Sequence, residues 1–188
     1  MAHSLRLTRV SVDDYLAGER LAELRHEYVD GELFAMSGAS RTHNRLTMNL
    51  SVRLGAHLED GPCRVAASNM KVRTTLGERF YYPDLVVSCN DPAEEEDEYV
   101  ETAPTIVVEV LSASTEQTDR REKRVAYQSI PTLREYVLVA QHAREVSVYR
   151  RDGEDWLLDV YGAGERTALE SIGFPLDIDD LYRGTNVE

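Results

Sequence analysis

Glu109 lies inside Ile106-Val-Val-Glu-Val-Leu111, where every neighbour is apolar. An ionised carboxylate buried there without a partner costs several kcal/mol or more. A metal ion, a basic partner or protonation must compensate, unless the side chain reaches solvent from the end of a strand. Asp84 opens Tyr82-Pro-Asp-Leu-Val-Val87, where Pro83 removes a backbone donor and fixes the approach to a strand. It either closes a turn or, if the strands at 84–88 and 105–111 are neighbours, meets Glu109 on the sheet. Such a carboxylate pair suits a hard divalent cation like Mg²⁺, which prefers oxygen ligands. Of 21 basic residues only Lys71 and Lys123 are lysines. A lysine can lose its proton where its surroundings lower its pKa, whereas arginine stays charged. The plainer reading of Lys123 is an i,i+4 pair with Asp119 on a solvated helix face. Lys71, in Met70-Lys-Val-Arg73, reads as an outward-facing strand position.

Local signals give the elements that must position these groups. Ser11 with Asp14 marks a helix N-terminus, so a short helix should cover about 12–17. His26–Met36 reads as a hairpin around Asp30-Gly31, a dipeptide that supplies positive φ angles. Ser40 caps a helix through about Asp60, with Leu46, Leu50, Leu54 and Leu58 in one stripe and Gly61-Pro62 ending it. Strands are expected at 64–67, 70–74, 81–88 and 105–111, the last continuous enough in apolar residues to be buried on both faces. A helix over about 119–129 follows, then strands at 135–139, 146–150 and 156–160. The chain from Gly162 is turn-rich with short extended pieces. The pattern is α+β (α/β): a mixed sheet flanked by helices, one domain over 1–188.

The chain has 188 residues, enough for one domain with a real core. No apolar run reaches 18 residues, which disfavours a membrane span, and a cytoplasmic protein is expected. Cys63 and Cys89 read as buried small hydrophobes in a reducing compartment. The net charge of −13 argues at first against nucleic-acid binding. Its distribution changes that. Residues 90–101 hold seven acids and no base, and residues 152–188 hold ten acids and two arginines. Taking −7 and −8 from −13 leaves the rest of the chain at +2. The acidity is confined to a solvated loop near 91–101 and a C-terminal segment near 162–188, and the candidate residues sit in a near-neutral body.

The ordered set Pro83-Asp84, Glu109-Val-Leu-Ser112, Asp119…Lys123…Tyr127 and Glu135-Tyr136 resembles the Uma-type family of proposed bacterial endonucleases, within the PD-(D/E)XK restriction-endonuclease-like superfamily. Glu27-Tyr-Val-Asp-Gly31, Met36-Ser37 and His43 match its N-terminal pattern. The resemblance implies a metal-dependent hydrolase of DNA phosphodiester bonds. Asp84 and Glu109, with the backbone carbonyl of Val110, would hold Mg²⁺, or Mn²⁺ in its place. Glu27 would ligate a metal or position a water. The superfamily places a lysine two residues after the glutamate, and Leu111 stands there; in this family the lysine moves to the next helix, which makes Lys123 the candidate. His43, Arg120 and Arg124 become possible phosphate or site-edge contacts. The resemblance also implies DNA as partner and a homodimer, with the apolar strand at Tyr136–Val139 near its interface. The alternative is a catalytically weak protein of the same fold that binds nucleic acid or a protein partner.

Overall fold

The computed structural model describes residues 9–36, 38–91, 97–113 and 115–188. The acidic run at 92–96 and Ser37 therefore lie outside the described residues. The chain opens with α1 (Val12–Glu19), where the Ser11 hydroxyl accepts the Asp14 N–H at 3.1 Å. Strands β1 (His26–Val29) and β2 (Glu32–Ala35) form the expected hairpin, and Asp30 and Gly31 have φ of 48° and 96°. Those positive angles match the right-handed strand twist. Helix α2 (Arg41–Leu58) starts at Ser40, whose hydroxyl accepts the His43 N–H at 3.0 Å.

Four short strands follow: β3 (Arg64–Ala67), β4 (Lys71–Arg73), β5 (Arg79–Tyr81) and β6 (Leu85–Ser88). The single strand expected over 81–88 is two strands in two different sheets. Pro83 cannot donate to a ladder, so the chain leaves one sheet after Tyr81 and joins the other at Leu85. The expected loop near 91–101 ends in β7 (Val100–Glu101), a buried pair of residues running parallel to β4. Strand β8 (Ile106–Val110) is buried throughout, as its apolar run requires.

One helical stretch comes next: α3 (Glu116–Thr118), a π-helical turn (Asp119–Lys123) and α4 (Arg124–Gln128). It begins three residues earlier than expected. Strands β9 (Glu135–Val139), β10 (Val146–Asp152) and β11 (Asp155–Tyr161) complete the larger sheet. The C-terminal segment folds as β12 (Arg166–Leu169), a 3₁₀ turn (Glu170–Ile172), β13 (Phe174–Asp177) and α5 (Ile178–Leu181).

The larger sheet has the order β11-β10-β9-β8-β6-β3, with β8 and β9 parallel and its other pairs antiparallel. Alternation along β8 assigns its faces. Ile106, Val108 and Val110 pack with the α2 leucines and with Ile178 and Leu181 of α5. Val107 and Leu111 pack with Ala126, Tyr127 and Tyr136 on the opposite face. The smaller sheet, β2-β1-β5-β4-β7, carries Glu27. The strand at 136–139 is interior and almost fully buried, so it offers no surface for a second copy. The edge strand β11 instead leaves Leu157, Leu158 and Val160 about half exposed. No described helix is long and apolar enough to cross a membrane.

Cys63 and Cys89 are joined in a disulfide, which corrects the expectation of free thiols. The β3–β6 register pairs Arg64 with Ser88 and sets the two cysteines opposite each other one step further along. They therefore give no support to a reducing compartment. At a sequence separation of 26, chain-entropy reasoning assigns the bond about 3.5 kcal/mol. Urea unfolding should show a loss of that size when the protein is reduced, and an unchanged midpoint would contradict it.

Candidate functional site

Strand register brings the first two carboxylates together. Leu85 of β6 lies opposite Val108 of β8, so one further step sets Asp84 opposite Glu109. Asp84 Oδ2 accepts the Val110 N–H at 2.7 Å, and Oδ1 accepts Nε2–H of His43 at 2.6 Å. Gln141, just beyond β9, ties this end of the sheet to the start of α2. Its Nε2 donates to the Leu111 carbonyl at 2.6 Å and lies 3.5 Å from His43 Nδ1. Its Oε1 accepts the Ser40 hydroxyl at 2.5 Å. An accepting Nδ1 leaves the imidazole proton on Nε2, where it faces Asp84.

The other half of the site forms around Lys123. Its Nζ stands 2.7 Å from Glu27 Oε1, 3.3 Å from Glu109 Oε1 and 3.4 Å from Asp119 Oδ1. Tyr127 donates its hydroxyl to Glu109 Oε1 at 3.1 Å, and the Tyr81 ring lies 5.5 Å from the ammonium. Asp119 and Lys123 are 1% and 5% exposed, so the expected i,i+4 pair exists but is buried rather than solvated. The π turn spans both residues and widens the helix where it meets the sheet; such turns recur at functional sites.

Burial sets the proton affinities. It drives the Glu109 pKa up; Lys123 opposes this, Asp119, Asp84 and Glu27 add to it, and the result stands well above the usual carboxylate range. Asp119 is raised for the same first reason, against the pull of Lys123. Burial alone would lower the Lys123 pKa, but Glu109, Glu27 and Asp119 outweigh it and hold it well above the ordinary value. Lys123 is thus a cation at neutral pH and not a base, the opposite of a proton-losing lysine.

Asp84, Glu109, Glu27 and Asp119 set four carboxylates against one ammonium, with the His43 imidazole beside Asp84. Asp119 Oδ1 is buried and accepts no hydrogen bond, its contact with Lys123 being ionic only. An all-oxygen, negatively charged donor set with an orphaned carboxylate oxygen fits a hard divalent cation in kind. Among the described residues no three His, Cys, Asp or Glu side chains already converge on an ion position. The carboxylates are instead engaged by Lys123, His43 and the Val110 N–H. It is this N–H of Val110 that meets Asp84.

Glu27, His43, Asp84, Glu109 and Lys123 line a cavity of about 830 Å³, with Phe34 and Met36 of the hairpin also in its wall, whereas Asp119 lies behind it. Of the residues expected from sequence, Asp84, Glu109, Val110, Lys123, Glu27 and His43 all border it. Arg120 and Arg124 do not. Arg120 pairs with Glu116 at 2.9 Å and Glu145 at 3.7 Å, and the Arg124 guanidinium lies 5.3 Å from the centre of the Tyr149 ring. Gln141 was not among the expected residues. Its signal was a polar side chain directly after an apolar strand, at the sheet end where β8 also stops.

Residues 12–180 match the Uma2 family, described as "Putative restriction endonuclease". The chain is 37% identical over 177 residues to the uncharacterized protein slr1290 of Synechocystis sp., covering 94% of this chain and 93% of that one. It is 35% identical over 159 residues to the uncharacterized protein sll1609 of the same organism, covering 84% and 89%. A crystal structure titled as a "putative nuclease belonging to DUF820", from Anabaena variabilis, superposes with a TM-score of 0.75. It covers 92% of this chain and 97% of its own at 18% identity, a likeness of fold.

Proposed function

The chain belongs to the Uma2 family, and on that premise we propose that it is a metal-dependent endonuclease hydrolysing DNA phosphodiester bonds. The observation that carries this reading is the placement of Lys123. Position 111 is leucine, yet the π turn brings a lysine to Glu109 from the following helix. That ion pair supports Lys123 as the cation the superfamily keeps beside its glutamate.

Asp84 and Glu109, with the Val110 carbonyl, would hold Mg²⁺ or Mn²⁺. When bound, the ion would supply Lewis-acid chemistry, polarising a phosphate and lowering the pKa of a water. The chain's own residues do the rest. His43 and the Val110 N–H fix both oxygens of Asp84, so the carboxylate needs no reorientation. Gln141 holds His43 in the tautomer that donates to Asp84. Lys123, charged across neutral pH, offsets negative charge that develops on a phosphate. Glu27, held by Lys123 and the Tyr82 N–H, sits where it can orient a water and accept its proton. Phe34 and Met36 narrow the mouth of the cavity.

A homodimer is part of the proposal, with the apolar edge strand β11 as its contact surface; sedimentation at micromolar concentration reads it directly. The activity is tested on supercoiled plasmid and single-stranded DNA with Mg²⁺ or Mn²⁺, using wild type, Asp84→Ala and Glu109→Ala. Cleavage by wild type and its loss in both folded variants is expected. Equal cleavage by all three proteins would remove the assignment.

A further inference from the structure

A second, smaller cavity lies on the other side of Tyr82. It measures about 140 Å³, with Lys71, Arg20, Arg25, Asn69, Tyr82 and Tyr99 among its walls. Lys71 is 4% exposed, against the expectation of an outward-facing strand residue. Its ammonium lies 5.4 Å from the centre of the Tyr82 ring and 5.9 Å from that of Tyr99. Among the described residues it makes no hydrogen bond and no ion pair.

The nearby carboxylates are committed elsewhere. Glu19 also lines the cavity, but its Oε1 accepts the His26 N–H at 2.8 Å and the Tyr82 hydroxyl at 3.1 Å. Its Oε2 faces His26 Nδ1 at 3.2 Å. Asp97 binds Arg20 at 2.9 Å through Oδ2 and the Tyr99 N–H at 3.0 Å through Oδ1. Arg25 donates to the Glu19 carbonyl at 3.2 Å. A guanidinium has five N–H donors, so both arginines keep donors in reserve.

Among the described residues no anion touches this buried ammonium directly, and two aromatic faces offset only part of its desolvation. Burial lowers the Lys71 pKa; Asp97 and Glu19 oppose this through space without offsetting it, and the positive charges of Arg25 and Arg20 add to it. The volume corresponds to four or five waters at about 30 Å³ each. That is room enough for a tetrahedral oxyanion.

We infer that this cavity is a phosphate-binding subsite, with Lys71 as its floor and Arg20 and Arg25 at its rim. Tyr82 joins it to the larger cavity. The Tyr82 backbone N–H donates to Glu27 on one side, and its ring and hydroxyl form a wall of the other. The phosphate assigned to it is one from the backbone of a nucleic-acid strand that also enters the larger cavity. That assignment of the phosphate rests on the nuclease reading, whereas the subsite itself does not.

The test is calorimetry on the full chain in EDTA, where no turnover occurs, with inorganic phosphate and a single-stranded oligonucleotide as separate titrants. Wild type should bind phosphate. Lys71→Met should weaken it at least about tenfold, with Lys71→Arg recovering part of the loss. Arg25→Gln, on the exposed rim, should weaken it by about threefold and serves if Lys71→Met does not fold. A parallel drop in oligonucleotide affinity, with a salt dependence shallower by about one counterion, identifies a strand phosphate. Unchanged oligonucleotide affinity beside lost phosphate binding identifies free phosphate as the ligand and still supports the subsite. No phosphate binding by wild type, or binding indifferent to Lys71 and Arg25, overturns it. A catalytically inert chain would still bind phosphate, and an active nuclease that does not bind it would fail this inference alone.

Discussion

Lys123→Met is expected to abolish nuclease activity and to destabilise the fold by about 3–5 kcal/mol, the cost of stripping the partner from a buried charge. Three carboxylates, Glu27, Glu109 and Asp119, share this one ammonium, and each has a side chain at most 16% exposed. The loss should depend on pH. The Lys123 pKa is raised in the folded state, so its stabilisation is full below the ordinary lysine value and would fade only as pH rises through the folded one. Across neutral pH the wild type keeps all of it. In the variant the carboxylates lose their counter-charge and fold best when protonated. The gap between variant and wild type should therefore narrow as pH falls toward 5 and widen toward pH 8, read by urea midpoints. A pH-independent gap would place Lys123 outside the electrostatic cluster. Lys123→Arg should not rescue activity, because a planar guanidinium cannot reproduce a point charge among three carboxylates.

Glu109→Gln should separate function from stability. Glu109 is 4% exposed and its raised pKa marks an ionised form that the fold holds at a cost. Glutamine keeps the shape and an acceptor for the Tyr127 hydroxyl, while Lys123 retains Glu27 and Asp119. The sign follows from the raised pKa. The folded protein binds the Glu109 proton more tightly than the unfolded chain does, so this group costs stability as pH rises through and above the ordinary carboxylate value. Removing it should leave stability at pH 7.5 equal to wild type or higher, while cleavage falls by about 10³-fold or more. Active sites commonly hold such a trade. A variant that is both less stable and still active would mean that Glu109 serves the fold alone.

Much of this site was legible because its determinants are local. Ser40 as a cap, Asp30-Gly31 as a turn and the apolar run at 106–110 each follow from neighbours in sequence. The isolation of Glu109 in that run was visible without any structure. Non-local pairing was not. Pro83 marks a break in the strand, but nothing local says which sheet each half joins, that Cys63 stands opposite Cys89, or that Lys71 is buried. Glu27 reached the candidate set through family resemblance, since a hairpin glutamate looks ordinary by itself. The π turn escaped because α-helical and π-helical sequences share the same residue preferences over so few positions. Gln141 escaped because a single glutamine carries no chemistry until His43, Ser40 and the Leu111 carbonyl are placed around it.

The carboxylate cluster around Lys123 is proposed as a metal-dependent nuclease centre. Its most direct test is plasmid cleavage by wild type and Glu109→Gln in Mn²⁺, each repeated with excess EDTA, after circular dichroism has shown both to be folded. Cleavage only by wild type and only with free metal is the result expected. Cleavage by wild type that persists in EDTA, or equal cleavage by Glu109→Gln, would contradict the claim.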